Sequence, residues 1–402
     1  MAIIGAGIGG LYLGYKLKDK YEIAIFEKEK EIGGLLGSFK LGGKYLEKTY
    51  HHIFKSDKYI LELINELGLG EIMQWRKENM AVYYQNNLYA FNSPIDLLNF
   101  LPLNISDKFR LGLVSIYLQK ENNFKKFEHV KAYEWLPKYF GKNVWEVLWK
   151  PLLKGKFGKY YKDIDMTWFW ARIHFRGHSE LGYLRGGFKQ IIEKLSANLT
   201  IIHKEINKRD YKNYDLIIDT SPIKSVEYLG AVDVCFTSKQ NLSKFYWHNI
   251  NDLKAPFIAF IQHSNFVNDY GKHVYYMGGY YPSNHKYFRV KDEIIYKEFF
   301  GYLKKMFKDF EEKEVEEKYI FKFKYAQHIP DKSLLTKRVP PTNVGEEEIY
   351  SFDKLNPPSL RATPFIKGDC PVIHMNFAQI YPQDRGINYA IRQAKEVASS
   401  FR

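Results

Sequence analysis

The most informative residues lie at the very start of the chain. Gly5-Ala6-Gly7-Ile8-Gly9-Gly10 satisfies G-x-G-x-x-G at Gly5, Gly7 and Gly10. Gly5 permits a tight turn, Gly7 lets backbone approach a pyrophosphate, and Gly10 lets a following helix pack closely on a strand. The N–H groups and positive end of that helix would then hold the phosphates. Glu27 lies at the spacing expected of an acid that accepts ribose hydroxyls. These residues need a strand over 2–4, a helix over 9–18 and a second strand over 22–26, which is a βαβ opening. The fingerprint alone does not separate FAD from NAD.

The residues that follow make that distinction. Glu27 to Phe39 reads EKEKEIGGLLGSF, with the pair Gly33-Gly34 soon after the ribose acid. Here the sequence resembles the FAD superfamily of amine oxidases, protoporphyrinogen oxidase, phytoene desaturases and UDP-galactopyranose mutase. The resemblance implies that Gly33 and Gly34 lie by the pyrophosphate and the start of the flavin. Relatives often carry Arg after the pair, where this chain has Leu35. Tyr50-His51-His52-Ile53-Phe54 resembles the segment passing near the flavin ring, with His51 and His52 as catalytic candidates. A capped turn with one satisfied histidine explains it equally well.

The segments KPLLKGKFG (150–158) and GYLRGGF (182–188) resemble protoporphyrinogen-oxidase-like proteins of bacteria and archaea. In them the Gly-Gly turn returns the chain to the cofactor domain, which makes Arg185 a candidate for facing the flavin pocket. Ile206 resembles the position whose backbone meets adenine. AQIYPQDRGINYA (378–390) resembles the motif that closes over the flavin. A helix from Gly386 would aim its positive end at the flavin N1–C2=O edge. Asp384 would cap that helix and Asn388 would contact the ribityl chain. Relatives often end the last strand in Gly-Asp, where this chain has Asn376-Phe377.

Other elements follow from pattern. Helical spacing predicts a helix over 59–67, stopped by Gly68. The stretch 94–163 reads as mainly helical, with Ser106 as an N-cap for a helix through Leu118. Further helices are expected over 132–140 and 144–149. Strands are expected at 181–184, 199–203 and 216–219, and at 257–263 and 274–277 in a second sheet. A charged, solvated helix is expected over 304–318. The chain should close with a strand over 372–377 and a helix over 386–401.

Bulk properties bound these readings. The 402 residues suit two domains, and 45% hydrophobic with 26% charged residues is a globular composition. The net charge of +14 comes from dispersed residues without a nucleic-acid reader motif, so no nucleic-acid partner is expected. A phosphorylated substrate or a peripheral membrane contact stays open. Cys235 and Cys370 form no CxxC pair, so neither a disulfide framework nor a metal site is expected, and a reducing cytoplasm is the default. HExxH, GxSxG and P-loop signatures are absent from the sequence.

The expected fold is α/β: a discontinuous Rossmann-like FAD-binding domain (1–75, 180–235 and 365–402) with an inserted substrate domain. The latter (76–179 and 236–364) would combine helices with an antiparallel sheet. The expected function is FAD-dependent oxidation, in which a small-molecule substrate gives hydride to flavin N5. A nucleotide-sugar mutase and a non-catalytic FAD-binding protein are the alternatives. The sequence sets neither the substrate nor the oligomeric state.

Overall fold

The computed structural model describes residues 1–41, 43–77, 79–175, 180–330 and 370–401. The expected domain boundaries in 176–179 and 331–369 therefore lie outside the described residues.

A five-stranded parallel sheet gathers distant parts of the chain in the order Thr200–His203, Ala24–Glu27, Ala2–Ile4, Ile217–Asp219, Val372–His374. Its central strand is almost wholly apolar, as a strand covered on both faces must be. The opening helix Ile8–Leu17 packs beside helices Lys189–Ser196 and Ile387–Ser399. Leu11, Leu13, Ile191, Ile391 and Ala394 meet in one buried core.

A seven-stranded sheet lies beyond it. Its order is Val315–His328, Tyr228–Ser238, His273–Pro282, Ala259–Gln262, Trp247–Ile250, Met80–Tyr84, Asn87–Ala90. It is mixed rather than antiparallel, because Trp247–Ile250 pairs parallel with Met80–Tyr84. Helix Asp292–Met306 covers it through Phe299, Phe300 and Leu303. The helices over 94–175 form a third core around Leu111, Leu136, Phe140, Phe157 and Phe169.

Three further sequence expectations change, and residues 80–90, for which the sequence marks no element, form a hairpin. Gln85 and Asn86 both take positive φ, which suits a two-residue turn matched to strand twist. The helix Ile105–Lys120 is capped by Asn104 rather than Ser106, with the Asn104 side chain accepting from the Asp107 N–H. The expected helix over 304–318 is the end of one element and the start of another. The helix stops at Met306 and a strand begins at Val315, where Tyr319, Phe321 and Phe323 alternate with Lys318, Ile320, Lys322 and Lys324. Finally, the last parallel strand ends at His374, and Asn376 opens a short 3₁₀ turn, Phe377–Gln379.

Candidate functional site

The glycine fingerprint folds as a backbone cradle at the C-terminal edge of the parallel sheet. Gly5 has φ +98°, a conformation that favours glycine, and its N–H donates to the Phe26 carbonyl at 2.7 Å. A Cβ on Gly10 would lie 2.1 Å from the Gly5 carbonyl oxygen, so only glycine lets helix and strand approach this closely. Gly7 differs: a Cβ there would meet nothing within 4 Å. Its face is open space in front of the helix starting at Ile8, whose first-turn N–H groups receive no side-chain cap. That combination fits an anion such as a pyrophosphate.

Two further segments converge on this cradle. Glu27 is buried, and its carboxylate accepts from the N–H of Ala6 at 2.8 Å and of Glu29 at 3.0 Å. The ribose acid of the sequence reading thus also ties the second strand to the glycine turn. Gly33 donates its N–H to the Ala6 carbonyl at 2.8 Å, and a Cβ on Gly34 would sit 3.4 Å from Gly7 Cα. Both have positive φ. The pair is therefore stacked directly on the first loop, although 22 residues separate Gly10 from Gly33. Ile206 follows the edge strand Thr200–His203 and packs by Phe26 and Ile217.

A second cluster forms where the helix Lys150–Phe157, the seven-stranded sheet and the terminal segment meet. Lys156 and Asp384 make a buried ion pair at 2.8 Å. Burial pulls the Lys156 ammonium below its usual pKa, while Asp384 opposes the shift. Arg385 donates from Nη2 to Tyr280 OH at 2.7 Å and from Nε to Gln327 Oε1 at 3.1 Å. Asp233 is buried on the neighbouring strand, where burial raises its carboxyl to about 7 and the Arg385 charge opposes that rise. The ring of His328 is held near 4, chiefly by burial and further by Arg385 and Lys156. His328 Nδ1 and Trp168 Nε1 are buried with no hydrogen-bond partner among the described residues. Trp168 lies under Lys156, with the ammonium 5.6 Å from its ring centroid.

Glu47 is a third buried acid, and sequence reasoning did not single it out. It accepts from Tyr183 OH at 2.6 Å and from the Phe188 N–H at 2.7 Å, and burial raises it to about 7. It thereby anchors the Arg185-Gly186-Gly187 turn, where a Cβ on Gly187 would lie 2.9 Å from the Tyr45 carbonyl oxygen. Only the tight spacing of Gly186-Gly187 before an amphipathic helix hinted at such a close approach.

The model for flavin containing amine oxidoreductases matches residues 8–211, just over half of the chain. The chain belongs to this flavin-containing amine oxidoreductase family. Its cofactor is FAD. Mitochondrial protoporphyrinogen oxidase of Nicotiana tabacum is 29% identical over 163 residues, which are 39% of this chain and 32% of that protein. The chain thus aligns with only about a third of that curated relative's length. A crystal structure provisionally named as a protoporphyrinogen oxidase, from Exiguobacterium sp. 255-15, superposes with TM-score 0.72 at 16% identity, covering 100% of this chain and 98% of its own. Reduced UDP-galactopyranose mutase superposes with TM-score 0.70 at 13% identity, covering 99% and 95%. These likenesses give the fold: a mixed α/β architecture of the FAD-dependent oxidoreductase kind.

Within this flavoprotein the remaining sequence candidates separate. His51 approaches the Thr49 carbonyl with Nδ1 at 2.7 Å, and burial together with the Arg385 charge lowers it to about 4. Its ring thus lies within electrostatic reach of Arg385. His52 turns away into a box of Tyr50, Phe54 and Trp247. Arg185 is exposed at its turn. Asp384 does not cap the terminal helix: its carboxylate meets Lys156 and the Arg385 N–H, and Gly386 is an N-cap with no side-chain bond. Asn388 uses its side-chain oxygen to accept from the Tyr59 and Ile60 N–H groups, capping helix Lys58–Glu66 from outside. Asn376, at the Gly-Asp position of relatives, is buried. It binds the Thr220 and Ser221 carbonyls, the Ala378 N–H and the Tyr228 hydroxyl.

Proposed function

We propose that the chain oxidises a small organic molecule bearing an anionic group, with hydride passing from a substrate C–H bond to flavin N5. The observation that carries this reading is the cluster of Lys156, Arg385, His328 and Trp168, in which two cations lie near two buried ring nitrogens that have no hydrogen-bond partner among the described residues. Bound FAD supplies the electron sink, and the protein orients substrate and excludes water around it.

In this reading the open face of Gly7 and the first turn after Ile8 hold the pyrophosphate, and Gly33-Gly34 close the loop against it. Glu27 receives the adenosine ribose and Ile206 borders the adenine. Gly386 presents the uncapped end of helix Ile387–Ser399 to the flavin, where first-turn N–H groups stabilise negative charge on the reduced ring. The parallel sheet with its flanking segments forms the cofactor domain. The helices and the seven-stranded sheet form the substrate domain, and substrate lies between them.

The side chains around the second cluster then divide the work. Lys156 and Arg385 hold the anionic group, and each is already positioned by a partner, Asp384 for the lysine and Tyr280 with Gln327 for the arginine. The unpartnered Trp168 Nε1–H is a donor ready for a substrate oxygen. His51, uncharged at neutral pH because burial holds it near 4, is the candidate proton acceptor. Neither His52 nor Arg185 is assigned a role with substrate. The likeness to UDP-galactopyranose mutase, together with the cationic cluster, favours one alternative: flavin-dependent rearrangement of a nucleotide sugar.

Anaerobic titration with candidate amines, porphyrinogens, polyenes and UDP-sugars tests the proposal. Loss of flavin absorbance on adding one class, and its return with oxygen, is expected. Turnover of a UDP-sugar only by pre-reduced protein, with no bleaching of the oxidised form, would replace oxidation by the mutase reading. Bound flavin that no compound reduces or uses would leave the non-catalytic reading. A reducing cytoplasmic setting belongs to the same proposal. Among the described residues no helix is long and apolar enough to cross a membrane.

A further inference from the structure

The seven-stranded sheet has two faces, and one of them carries an acid without a donor. Side chains alternate along strand Tyr228–Ser238. Val232 and Val234 pack into the core shared with helix Asp292–Met306, so Asp233 points the other way. Register carries this second face across the sheet. Asp233 stands opposite Gly278, Gly278 opposite Ala259, and on its other side Asp233 stands opposite Phe321. Such antiparallel partners share a face. Tyr276 and Tyr280 lie two residues to either side of Gly278 and join it there. Tyr276 donates to the Glu47 carbonyl at 2.9 Å, and Tyr280 accepts from Arg385.

Gly278 and Ala259 thus make a depression among larger neighbours. A Cβ on Gly278 would lie 2.2 Å from Asp233 Oδ1, so the carboxylate reaches over the glycine. Gly278 keeps part of its surface accessible, although it lies on the third of seven strands.

Asp233 itself is only 9% exposed and makes no hydrogen bond or ion pair among the described residues. A buried carboxylate without a donor is costly, and an apolar side chain in its place is neutral or stabilising. Stability therefore does not account for this residue. A donor that arrives with a ligand does, since buried polar groups are paired in working structures.

The neighbouring cations say what else that ligand carries. Lys156 Nζ lies 5.2 Å from the centroid of Tyr280, the ring whose hydroxyl meets Arg385. Gly278 and Tyr280 are one two-residue step apart, about 7 Å along the strand. A planar molecule over the glycine floor would meet cations at one end and Asp233 at the other.

We propose that Asp233 is a specificity-determining residue, which accepts a hydrogen bond from an N–H or O–H group at the far end of the substrate from its anionic group. The inference rests on the anionic-substrate reading and narrows it to planar anions with a distal donor. Titration of the FAD-loaded protein with 4-aminobenzoate, 4-hydroxybenzoate and 4-methylbenzoate in mildly alkaline buffer, read from the flavin absorption spectrum, tests it. These acids differ only in the group opposite the carboxylate. The parent should bind a donor-bearing acid about tenfold more tightly than 4-methylbenzoate, and the preferred acid identifies the donor as N–H or O–H. In Asp233→Ala all three should bind alike, with a urea midpoint at or above the parent's. A preference that persists in Asp233→Ala, or a lowered midpoint in that variant, overturns the proposal. Equal binding of the three acids by the parent, weakened in K156M/D384L, overturns it while leaving the anionic-substrate reading in place. Binding of none, or binding unchanged in K156M/D384L, overturns both.

Discussion

The glycine cradle and the Lys156 cluster are built on opposite plans. The cradle is backbone geometry: positive φ at Gly5, Gly33 and Gly34, a Cβ-free contact at Gly10, and an open face at Gly7. The cluster is side-chain chemistry, drawn from a helix at 150–157, three strands of the seven-stranded sheet and the segment at 384–385. The first tolerates almost no change in residue type but needs no charge. The second depends on charges whose burial is offset by one ion pair and by hydrogen bonds to neutral side chains. The cradle should therefore fail by steric exclusion, and the cluster by unbalanced electrostatics.

The largest effect is expected at Gly10. The Gly10→Val variant forces a side chain onto the Gly5 carbonyl, and both folding yield and bound FAD should collapse, as read from soluble protein and flavin absorbance. Gly7→Ala sharpens the point, because its Cβ meets only open space in the protein. It should fold with parental circular dichroism yet bind FAD about a hundredfold more weakly, about 3 kcal/mol, by fluorescence titration. Parental FAD affinity in Gly7→Ala would show that no phosphate approaches that face.

Next comes Lys156→Met, which leaves Asp384 buried without its cation. Removing one partner of such a pair costs about 3–5 kcal/mol, measured by urea denaturation. The double variant K156M/D384L should recover most of that stability but not turnover of an anionic substrate. Recovery of both would reduce the pair to a structural tie and remove Lys156 from the substrate site.

The smallest effect is a pH dependence in which the cluster takes part. His51, His248 and His328 are lowered to about 4 and His263 to about 3, in each case first by burial. Each depressed histidine contributes stability above about 6.5 that is lost as pH falls toward its folded value. Asp233 and Glu47, raised to about 7, act with the opposite sign and favour the fold as pH falls. Four groups outweigh two, so stability should fall by about 2 kcal/mol between pH 6.5 and 5.5. An unchanged or rising melting temperature over that interval would mean that the imidazoles are more hydrated than their packing implies.

The same contrast explains what the sequence made legible. The cradle could be read because its glycines are consecutive and each answers a local steric demand. Four of the five parallel strands around it were found within about two residues, since continuous apolar runs between turns mark them, and the last ends three residues before its expected end. The cluster could not be read, because Lys156, Asp233 and Gln327 meet only through sheet order, which no local spacing encodes. Asp384 and Asn388 were noticed for their place at a helix start. Tertiary partners, Lys156 and the helix Lys58–Glu66, claim their side-chain oxygens instead. The helix expected over 304–318 failed for a related reason: its run of charges carries no local mark of the helix end at Met306 or of the strand that starts at Val315.

The central claim is that the cradle holds FAD, and the visible absorption spectrum of the purified protein tests it most directly. Oxidised flavin bands are expected, with FAD released into the supernatant on denaturation, and with Gly7→Ala colourless but folded. A folded parent protein that is colourless and takes up no added FAD would contradict the account.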